Sequence, residues 1–214
     1  IDHLPLLKNF AKTGKPIIIS TGGATLDDCK NALSCIREEN PNSEVALLHC
    51  VSNYPLEVRD ANLSVIETLK NEFKVPVGFS DHSIGEILPI AATSLGADII
   101  EKHFTLNTSA DGLDHSLSAD PLTLRKISEG ILIAYLSRGT GKKLPVEEMS
   151  QIEGIRRGIV AKQKIEKGAK INAKMLAFKR PQTGILPKDV ARVIGMTAER
   201  EIQPDDPIFW NDLK

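Results

Sequence analysis

The chain has 214 residues, a length that suits one large domain or a medium domain with a small one. Its 27 basic and 28 acidic residues nearly balance and only 4% of its residues are aromatic, so the surfaces of a nucleic-acid-binding protein are not indicated. Three cysteines without a CxxC motif, and no apolar run near the roughly 20 residues of a membrane span, argue against a disulfide framework and a membrane-spanning segment. We therefore expect a cytoplasmic protein that binds neither nucleic acid nor membrane.

The first part of the chain alternates predicted strands and helices. Strands are predicted to begin at positions 17, 45, 77 and 98, and each is followed by a segment whose apolar residues recur with helical period. Repeated strand–helix units of this size form parallel sheets with right-handed crossovers. The pattern therefore predicts an α/β fold, either half of a TIM (β/α)8 barrel or an open doubly wound sheet.

A helix predicted over residues 4–11 precedes the first strand and has no strand of its own. Four strand–helix units are half of a barrel, and a barrel left open exposes strand edges that proteins usually cover. The chain also begins with isoleucine rather than methionine. We therefore expect residues 1–141 to be the C-terminal part of a TIM-barrel domain whose first strands are missing.

The pattern changes after position 141. Residues 142–156 are rich in charged side chains, and we interpret them as a linker. In residues 157–214 the β-branched runs are short and separated by turns, with one short helical segment at 188–193. This last stretch is predicted to be a small, mostly β domain.

Two histidines follow the third and fourth predicted strands. His82 ends the segment 77–82, and His103 lies near the end of the segment 98–104. Because the C-terminal ends of neighbouring parallel strands lie side by side, the two imidazoles are expected to be close enough to share one metal ion. A two-histidine site leaves positions for oxygen ligands, which suits Mn²⁺ or Mg²⁺ better than zinc. The alternative for each histidine is a hydrogen-bonded core residue.

Alternation along the strands assigns further side chains to faces. If His103 faces the barrel interior, Glu101 does so too, whereas Lys102 points toward the helices and is a weak candidate for a Schiff base. By the same counting, Ser80 shares a face with His82. An open divalent site at this place would polarise a carbonyl oxygen for attack by a carbon nucleophile.

Polar residues also lie in the loops that follow the predicted strands. Ser20 precedes a Thr-Gly-Gly turn whose N–H groups either hold an anion or cap the next helix. Tyr54 lies after the second strand, where a solvent-facing turn tyrosine is the ordinary alternative. The long loop over residues 107–120 carries Asp114, which could orient a hydroxyl-rich substrate; the alternative is a mobile surface loop.

Four segments of the first part of the chain have a distinctive order and spacing: HCVSNYP at 49–55, GFSDHS at 78–83, IEKHFTL at 100–106 and DHSLS at 114–118. They resemble the sialic acid synthase (N-acetylneuraminate synthase) family. Residues 156–162 and FKRP at 178–181 resemble the family's C-terminal antifreeze-like, or SAF, domain. The resemblance therefore covers essentially the whole chain.

The family joins phosphoenolpyruvate to an N-acetylated amino sugar such as N-acetylmannosamine, releasing phosphate and forming a nine-carbon 2-keto acid. The resemblance implies that His82 and His103 bind the divalent metal, which activates the aldehyde of the sugar. It also implies a set of substrate contacts, to phosphoenolpyruvate from Ser20 and Ser80 and to the sugar from Tyr54, Asp114 and Arg180. In this family the small domain covers the partner's active site, so Arg180 would act in trans within a homodimer.

The sequence departs from the family at Val51, at Gly158 and in the segments 119–120 and 182–183. The identity of the sugar is therefore open, and a pseudaminic or legionaminic acid synthase is an alternative. The strands that begin the family's barrel, with a glutamate and lysines of the active site, have no counterpart here, so this chain alone is expected to hold an incomplete active site. Two other classes of function are a Schiff-base aldolase using Lys102 and a non-catalytic carbohydrate-binding or assembly protein.

Overall fold

The computed structural model describes residues 1–139, 141, 146–149 and 151–214. These residues divide into two compact units, Ile1–Gly141 and Lys142–Lys214, and each has a hydrophobic core of its own. Across the described stretches, no helix combines the length and the apolar character that crossing a bilayer requires.

The first unit is built on a four-stranded parallel sheet. Its strands are β1 (Ile17–Ser20), β2 (Val45–Cys50), β3 (Val77–Asp81) and β4 (Ile100–Lys102), and they lie in the order β1-β2-β3-β4. Neighbouring strands that follow each other along the chain are what repeated strand–helix units produce. The parallel sheet with its helices confirms the predicted α/β class.

Two long helices of this unit begin at side chains that cap them. Thr25 and Asp28 form a reciprocal capping box at the start of α2 (Leu26–Glu39), and the Asp120 carboxylate caps α5 (Pro121–Ser137) ahead of a proline in its first turn. The helices are α1 (Leu4–Lys12), α2 (Leu26–Glu39), α3 (Val65–Phe73), α4 (Ile87–Ser94) and α5 (Pro121–Ser137).

Alternate residues along the strands face the helices. Leu47, Val77 and Phe79 are fully buried in the core that the helices form with the sheet. The residues between them lie on the other face, where Ile18 is 56% exposed and Glu101 is also exposed. We call this second face the open face of the sheet, and its C-terminal edge carries the candidate site.

Strand β4 is shorter than the segment 98–104 predicted for it. Among the described strands it pairs with β3, and beyond its end Phe104 forms only an isolated parallel bridge to Ala119. A strand that pairs with a neighbour on one side forms fewer backbone hydrogen bonds, so its ends pair less regularly. His103 therefore lies just past the strand rather than inside it.

The second unit contains the antiparallel strands β5 (Gly158–Ala161) and β6 (Leu176–Lys179). Isolated bridges, such as those of Ile165 with Ile202 and of Lys170 with Thr197, connect further short extended segments. They enclose a core rich in isoleucine. This arrangement agrees with the small, mostly β unit that the short β-branched runs predicted.

Short helices also occur in this unit. They are α6 (Val146–Met149), α7 (Ile152–Ile155) and α8 (Val190–Val193). Helix α8 is shorter than the predicted segment 188–193 because Pro187–Asp189 forms a 3-10 turn. The predicted linker over 142–156 lies partly outside the described residues, and its described part contains α6 and α7.

Candidate active site

The two histidines lie side by side at the C-terminal edge of the sheet. His82 directly follows β3 and His103 directly follows β4, and the register pairs Asp81 with Lys102, the residues just before them. The ring centroids of the two imidazoles are 5.2 Å apart. His82 is 5% exposed, and His103 is half-buried. The structure thus places the two rings together, as the strand order predicted.

Each imidazole has an oxygen near its Nδ1 atom. Nδ1 of His82 is 3.0 Å from the carbonyl oxygen of Val51, and because a carbonyl can only accept, this nitrogen carries the proton. Nδ1 of His103 is 3.7 Å from a carboxylate oxygen of Asp114. Among the described residues, neither Nε2 atom has a hydrogen-bond partner. For His82, a backbone carbonyl on one nitrogen and a free lone pair on the other are typical of metal-binding histidines. At His103 the 3.7 Å separation from Asp114 is too long for a hydrogen bond.

Tyr54 packs against both imidazoles. Its ring centroid is 4.1 Å from that of His82 and 5.9 Å from that of His103, with an edge-on arrangement in the second pair. Desolvation raises the pKa of the Tyr54 phenol, and the nearby Asp114 and Glu101 raise it further. The hydroxyl therefore stays protonated at neutral pH and can donate a hydrogen bond beside the histidines.

Ser80 and Glu101 are paired across the two strands on the open face. The Ser80 hydroxyl donates a 2.7 Å hydrogen bond to Glu101, and the two residues are register partners in β3 and β4. Ser80 is buried, whereas Glu101 is exposed. Alternation along β4 placed Glu101 on this face from the sequence, but its direct contact with Ser80 was not predicted. Glu101 is therefore a further candidate for the site.

Ser20 is farther from the histidines. It is the last residue of β1, lies opposite Leu48 in β2 and is exposed on the open face. One strand separates β1 from β3. The turn that follows Ser20 leads to the capping box of α2. Some polar groups of this segment therefore cap the helix.

The loop over residues 107–120 is held by its own polar groups. The Thr105 hydroxyl is 2.7 Å from Nδ1 of His115, and the Ser118 hydroxyl donates a 2.6 Å hydrogen bond to the Asp114 carbonyl. These contacts favour a loop-stabilising role for His115 and Ser118. They also leave the Asp114 carboxylate directed toward His103.

Arg180 and Lys102 were also considered from the sequence. Arg180 follows β6 in the second unit and is exposed. Lys102 lies on the face opposite the histidines, where its ammonium group is 2.6 Å from Asp81 and its side chain is 3% exposed. A buried, ion-paired lysine is poorly placed to form a Schiff base with a substrate, in agreement with the alternation along β4.

The donor set suits an open divalent site rather than a closed one. Within the described residues, no group of three or more His, Cys, Asp or Glu side chains is arranged to hold a metal ion. Two imidazoles leave the other coordination positions to oxygen ligands such as water or substrate, which Mn²⁺ and Mg²⁺ accept. The residues present therefore fit such an ion, which His82 and His103 would hold.

Both parts of the chain match known protein families. Residues 1–143 match the NeuB family, and residues 156–214 match the SAF domain. An uncharacterized protein of Methanocaldococcus jannaschii is 41% identical over 214 residues, which are all of this chain and 63% of that protein. N,N'-diacetyllegionaminic acid synthase of Legionella pneumophila is 35% identical over 218 residues, covering all of this chain and 61% of that protein.

A solved structure shows the same likeness. N-acetylneuraminic acid (sialic acid) synthetase from Leptospira borgpetersenii, in complex with citrate, matches with a TM-score of 0.66 and 39% identity over 70% of this chain and 52% of that one. The chain spans 61% to 63% of the length of the two curated relatives named above. These matches confirm the resemblance that the sequence motifs indicated. The chain therefore belongs to the NeuB family and carries a SAF domain over residues 156–214.

Proposed function

We propose that this chain is part of a metal-dependent synthase that condenses phosphoenolpyruvate with an N-acetylated amino sugar, such as N-acetylmannosamine. The products would be a sialic-type, or nonulosonic, acid and phosphate. In this proposal the first unit forms half of a TIM barrel. Support comes from the family, from relatives named as legionaminic acid and sialic acid synthases, and from the geometry at the strand ends.

The arrangement of His82 and His103 carries this proposal. The ring centroids of the two imidazoles are 5.2 Å apart, and His82 has the outer hydrogen-bond partner that metal-binding histidines use to set their tautomer. The Asp114 carboxylate lies 3.7 Å from Nδ1 of His103. They would hold Mn²⁺ or Mg²⁺ through Nε2. A bound ion would supply polarisation of the carbonyl oxygen of the sugar aldehyde.

The neighbouring side chains would bind and orient the two substrates. Ser20 and Ser80 would contact phosphoenolpyruvate. Because a hydroxyl has a single proton, Ser80 would exchange its hydrogen bond to Glu101 for one to the substrate. Tyr54 would donate its phenolic hydrogen bond to the sugar, and Asp114 would accept from a sugar hydroxyl. Both groups lie beside the imidazoles, so the aldehyde would be held next to the metal ligands.

The second unit would complete the sugar site in a homodimer. We propose that Arg180 of one subunit contacts the N-acetyl region of the sugar bound to its partner. Its side chain is exposed, and a guanidinium group is suited to hydrogen-bonding a carbonyl oxygen.

The sugar is the open part of the proposal. A legionaminic acid synthase is the first alternative, because a relative with that name is 35% identical over the whole of this chain. A pseudaminic acid synthase is the other. These enzymes would share the phosphoenolpyruvate and metal groups and differ in the acetamido pattern of the sugar.

A phosphate-release assay tests the proposal. The intact protein is incubated with phosphoenolpyruvate, Mn²⁺ and a panel of acetamido sugars that includes N-acetylmannosamine, and the sugar that gives turnover identifies the substrate. His82→Ala and His103→Ala are expected to abolish divalent-ion binding and turnover while the fold is retained, because each removes one of two protein ligands.

The matched control is His3→Ala, which removes a histidine at the exposed start of α1. This variant is expected to keep the turnover of the wild-type protein. Metal-stimulated phosphate release that persists in both His82→Ala and His103→Ala would reject the proposal. Sugar binding by the second unit without metal or phosphoenolpyruvate would instead favour a carbohydrate-binding protein.

A further inference from the structure

A buried ion pair lies on the sheet face opposite the histidines. Nζ of Lys102 is 2.6 Å from Oδ2 of Asp81, and the exposed fractions of the two side chains are 3% and 0%. The two residues are register partners in β3 and β4. Asp81 directly precedes His82, and Lys102 directly precedes His103. The pair therefore ties together the two strand ends that carry the candidate metal ligands.

Both charged groups also hold the backbone just beyond His82. Oδ1 of Asp81 accepts a 2.9 Å hydrogen bond from the Ser83 N–H, and the Lys102 ammonium donates to the Ser83 carbonyl. His82 thus lies between Asp81, a member of the ion pair, and Ser83, whose backbone is bonded to both of its members. The direction of its ring, and with it the hydrogen bond to Val51, depends on this stretch of backbone.

Stability alone gives a weak reason for such a pair. Desolvation of two buried charges offsets much of their attraction, and replacing both by apolar residues of similar volume is often neutral or stabilising. Removing one partner is different, because it leaves an unpaired charge in the protein interior. The geometry that the pair imposes on its surroundings is the better explanation for it here.

We propose that Asp81 and Lys102 are positioning residues that set the spacing and the ring orientation of His82 and His103. The inference rests on the proposed function, since it assigns the pair to the metal site of that function. Groups that orient metal ligands from outside change metal affinity or activity by about 10- to 100-fold when they are replaced. The same range is expected for this pair.

The test uses the intact protein with the double substitution Asp81→Leu and Lys102→Met. Removing both charges together leaves no unpaired charge, but the Ser83 N–H and carbonyl lose their partners. Thermal unfolding is therefore expected at a somewhat lower temperature than for the wild-type protein, with a smaller loss than when one charge alone is removed. Binding of Mn²⁺, followed by electron paramagnetic resonance of the free ion, is expected to weaken about 10- to 100-fold. The value of kcat is expected to fall, whereas KM for phosphoenolpyruvate changes little.

The matched control is Lys70→Met. Lys70 forms a 2.8 Å ion pair with Asp98, and Asp98 accepts a hydrogen bond from the Val77 N–H at the opposite end of β3. This more exposed pair lies far along the strands from the histidines, so its loss is expected to leave Mn²⁺ affinity within about two-fold of the wild-type value. A double variant with equally unchanged Mn²⁺ affinity would overturn the positioning role.

A second measurement separates this inference from the proposed function. Nitrogen NMR of the His82 ring in the metal-free protein reports whether Nδ1 carries the proton, and it requires neither metal binding nor turnover. A mixture of tautomers in the double variant supports the positioning role even if the wild-type protein releases no phosphate. An unchanged His82 spectrum contradicts it. If the double variant does not fold, Lys102→Arg is used, since its planar fork cannot reproduce both contacts of the ammonium group, and the same two outcomes apply.

Discussion

The Ser80 hydroxyl donates a 2.7 Å hydrogen bond to the carboxylate of Glu101, across the two strands that end in the histidines. This contact brings together a buried donor from β3 and an exposed acceptor from β4. An anionic substrate bound here would compete with Glu101 for the single proton of the Ser80 hydroxyl. The pair is therefore expected to matter for phosphoenolpyruvate more than for the fold.

Substitution of Ser80 by alanine tests this expectation. The loss of a hydrogen bond to a charged group, worth about 1.5–3 kcal/mol, is expected to lower kcat/KM for phosphoenolpyruvate by about 10- to 100-fold. Steady-state kinetics of phosphate release measure the effect. Ser94→Ala, in which a serine on the exposed side of α4 is replaced, is the control and should keep wild-type kinetics. A Ser80→Ala enzyme with wild-type kcat/KM would remove Ser80 from the site.

Gly78 in β3 lies close to Ile99, the residue just before β4. A Cβ atom at this position would overlap the carbonyl oxygen of Ile99 and lie 2.8 Å from the Ile99 Cβ. Gly78→Ala is therefore expected to push the strands apart and lower the free energy of unfolding by about 1–3 kcal/mol, the usual range for overpacking. Denaturant unfolding followed by circular dichroism measures the change.

The control for this variant is Gly154→Ala in α7, where no heavy atom lies within 4 Å of an added Cβ. Replacing a helical glycine that has free space around it with alanine should slightly raise the free energy of unfolding of the protein. If Gly78→Ala unfolds at the same denaturant concentration as the wild-type protein, the close approach of the two strands is not a constraint on this position.

His49 introduces a pH dependence into the first unit. Burial lowers the pKa of its imidazole, and the hydrogen bond of Nε2 to the Ala61 carbonyl, at 2.8 Å, opposes this only in part. Between the lowered folded pKa and the unfolded value of about 6.5, the unfolded chain binds more protons than the folded one. Stability from this residue is therefore fully present above about pH 6.5 and is lost as the pH falls below it.

Replacing His49 by glutamine is expected to flatten this part of the pH profile. One such group changes the free energy of unfolding by at most about 1.4 kcal/mol per pH unit. Native-state hydrogen exchange of the β2 amides between pH 5 and pH 7 compares the two proteins, after correction for the intrinsic exchange rates. An equal slope in wild type and His49→Gln would assign the pH dependence to other groups.

Mixing two inactive variants tests whether Arg180 acts across a dimer. In a mixture of His82→Ala and Arg180→Ala subunits, a heterodimer has one site with intact metal ligands and an arginine from the other subunit. Turnover is then expected to recover to about one quarter of the wild-type level after random exchange of subunits. Heterodimers would be confirmed by mass spectrometry. If turnover then stays as low as that of the two inactive parents, Arg180 belongs to the site of its own subunit.

The sequence alone determined the order of the elements and the location of the two histidines. Strand and helix periods are local properties, and parallel strands connected by helices align their C-terminal ends. The positions of His82 and His103 therefore followed from counting residues. The same alternation separated Glu101 from Lys102, and the structure places them on opposite faces.

Contacts between segments distant in the chain were decided only by the tertiary structure. Alternation along the strand turns Lys102 away from the site, but its bond to Asp81 requires the register of two strands. The hydrogen bond of His82 to Val51 depends on the conformation of the loop after β2, and the periodicity of the sequence does not predict loop conformations. Distances of a few ångströms between side chains depend on packing of the whole unit, and these distances convert two histidines at strand ends into a candidate metal site.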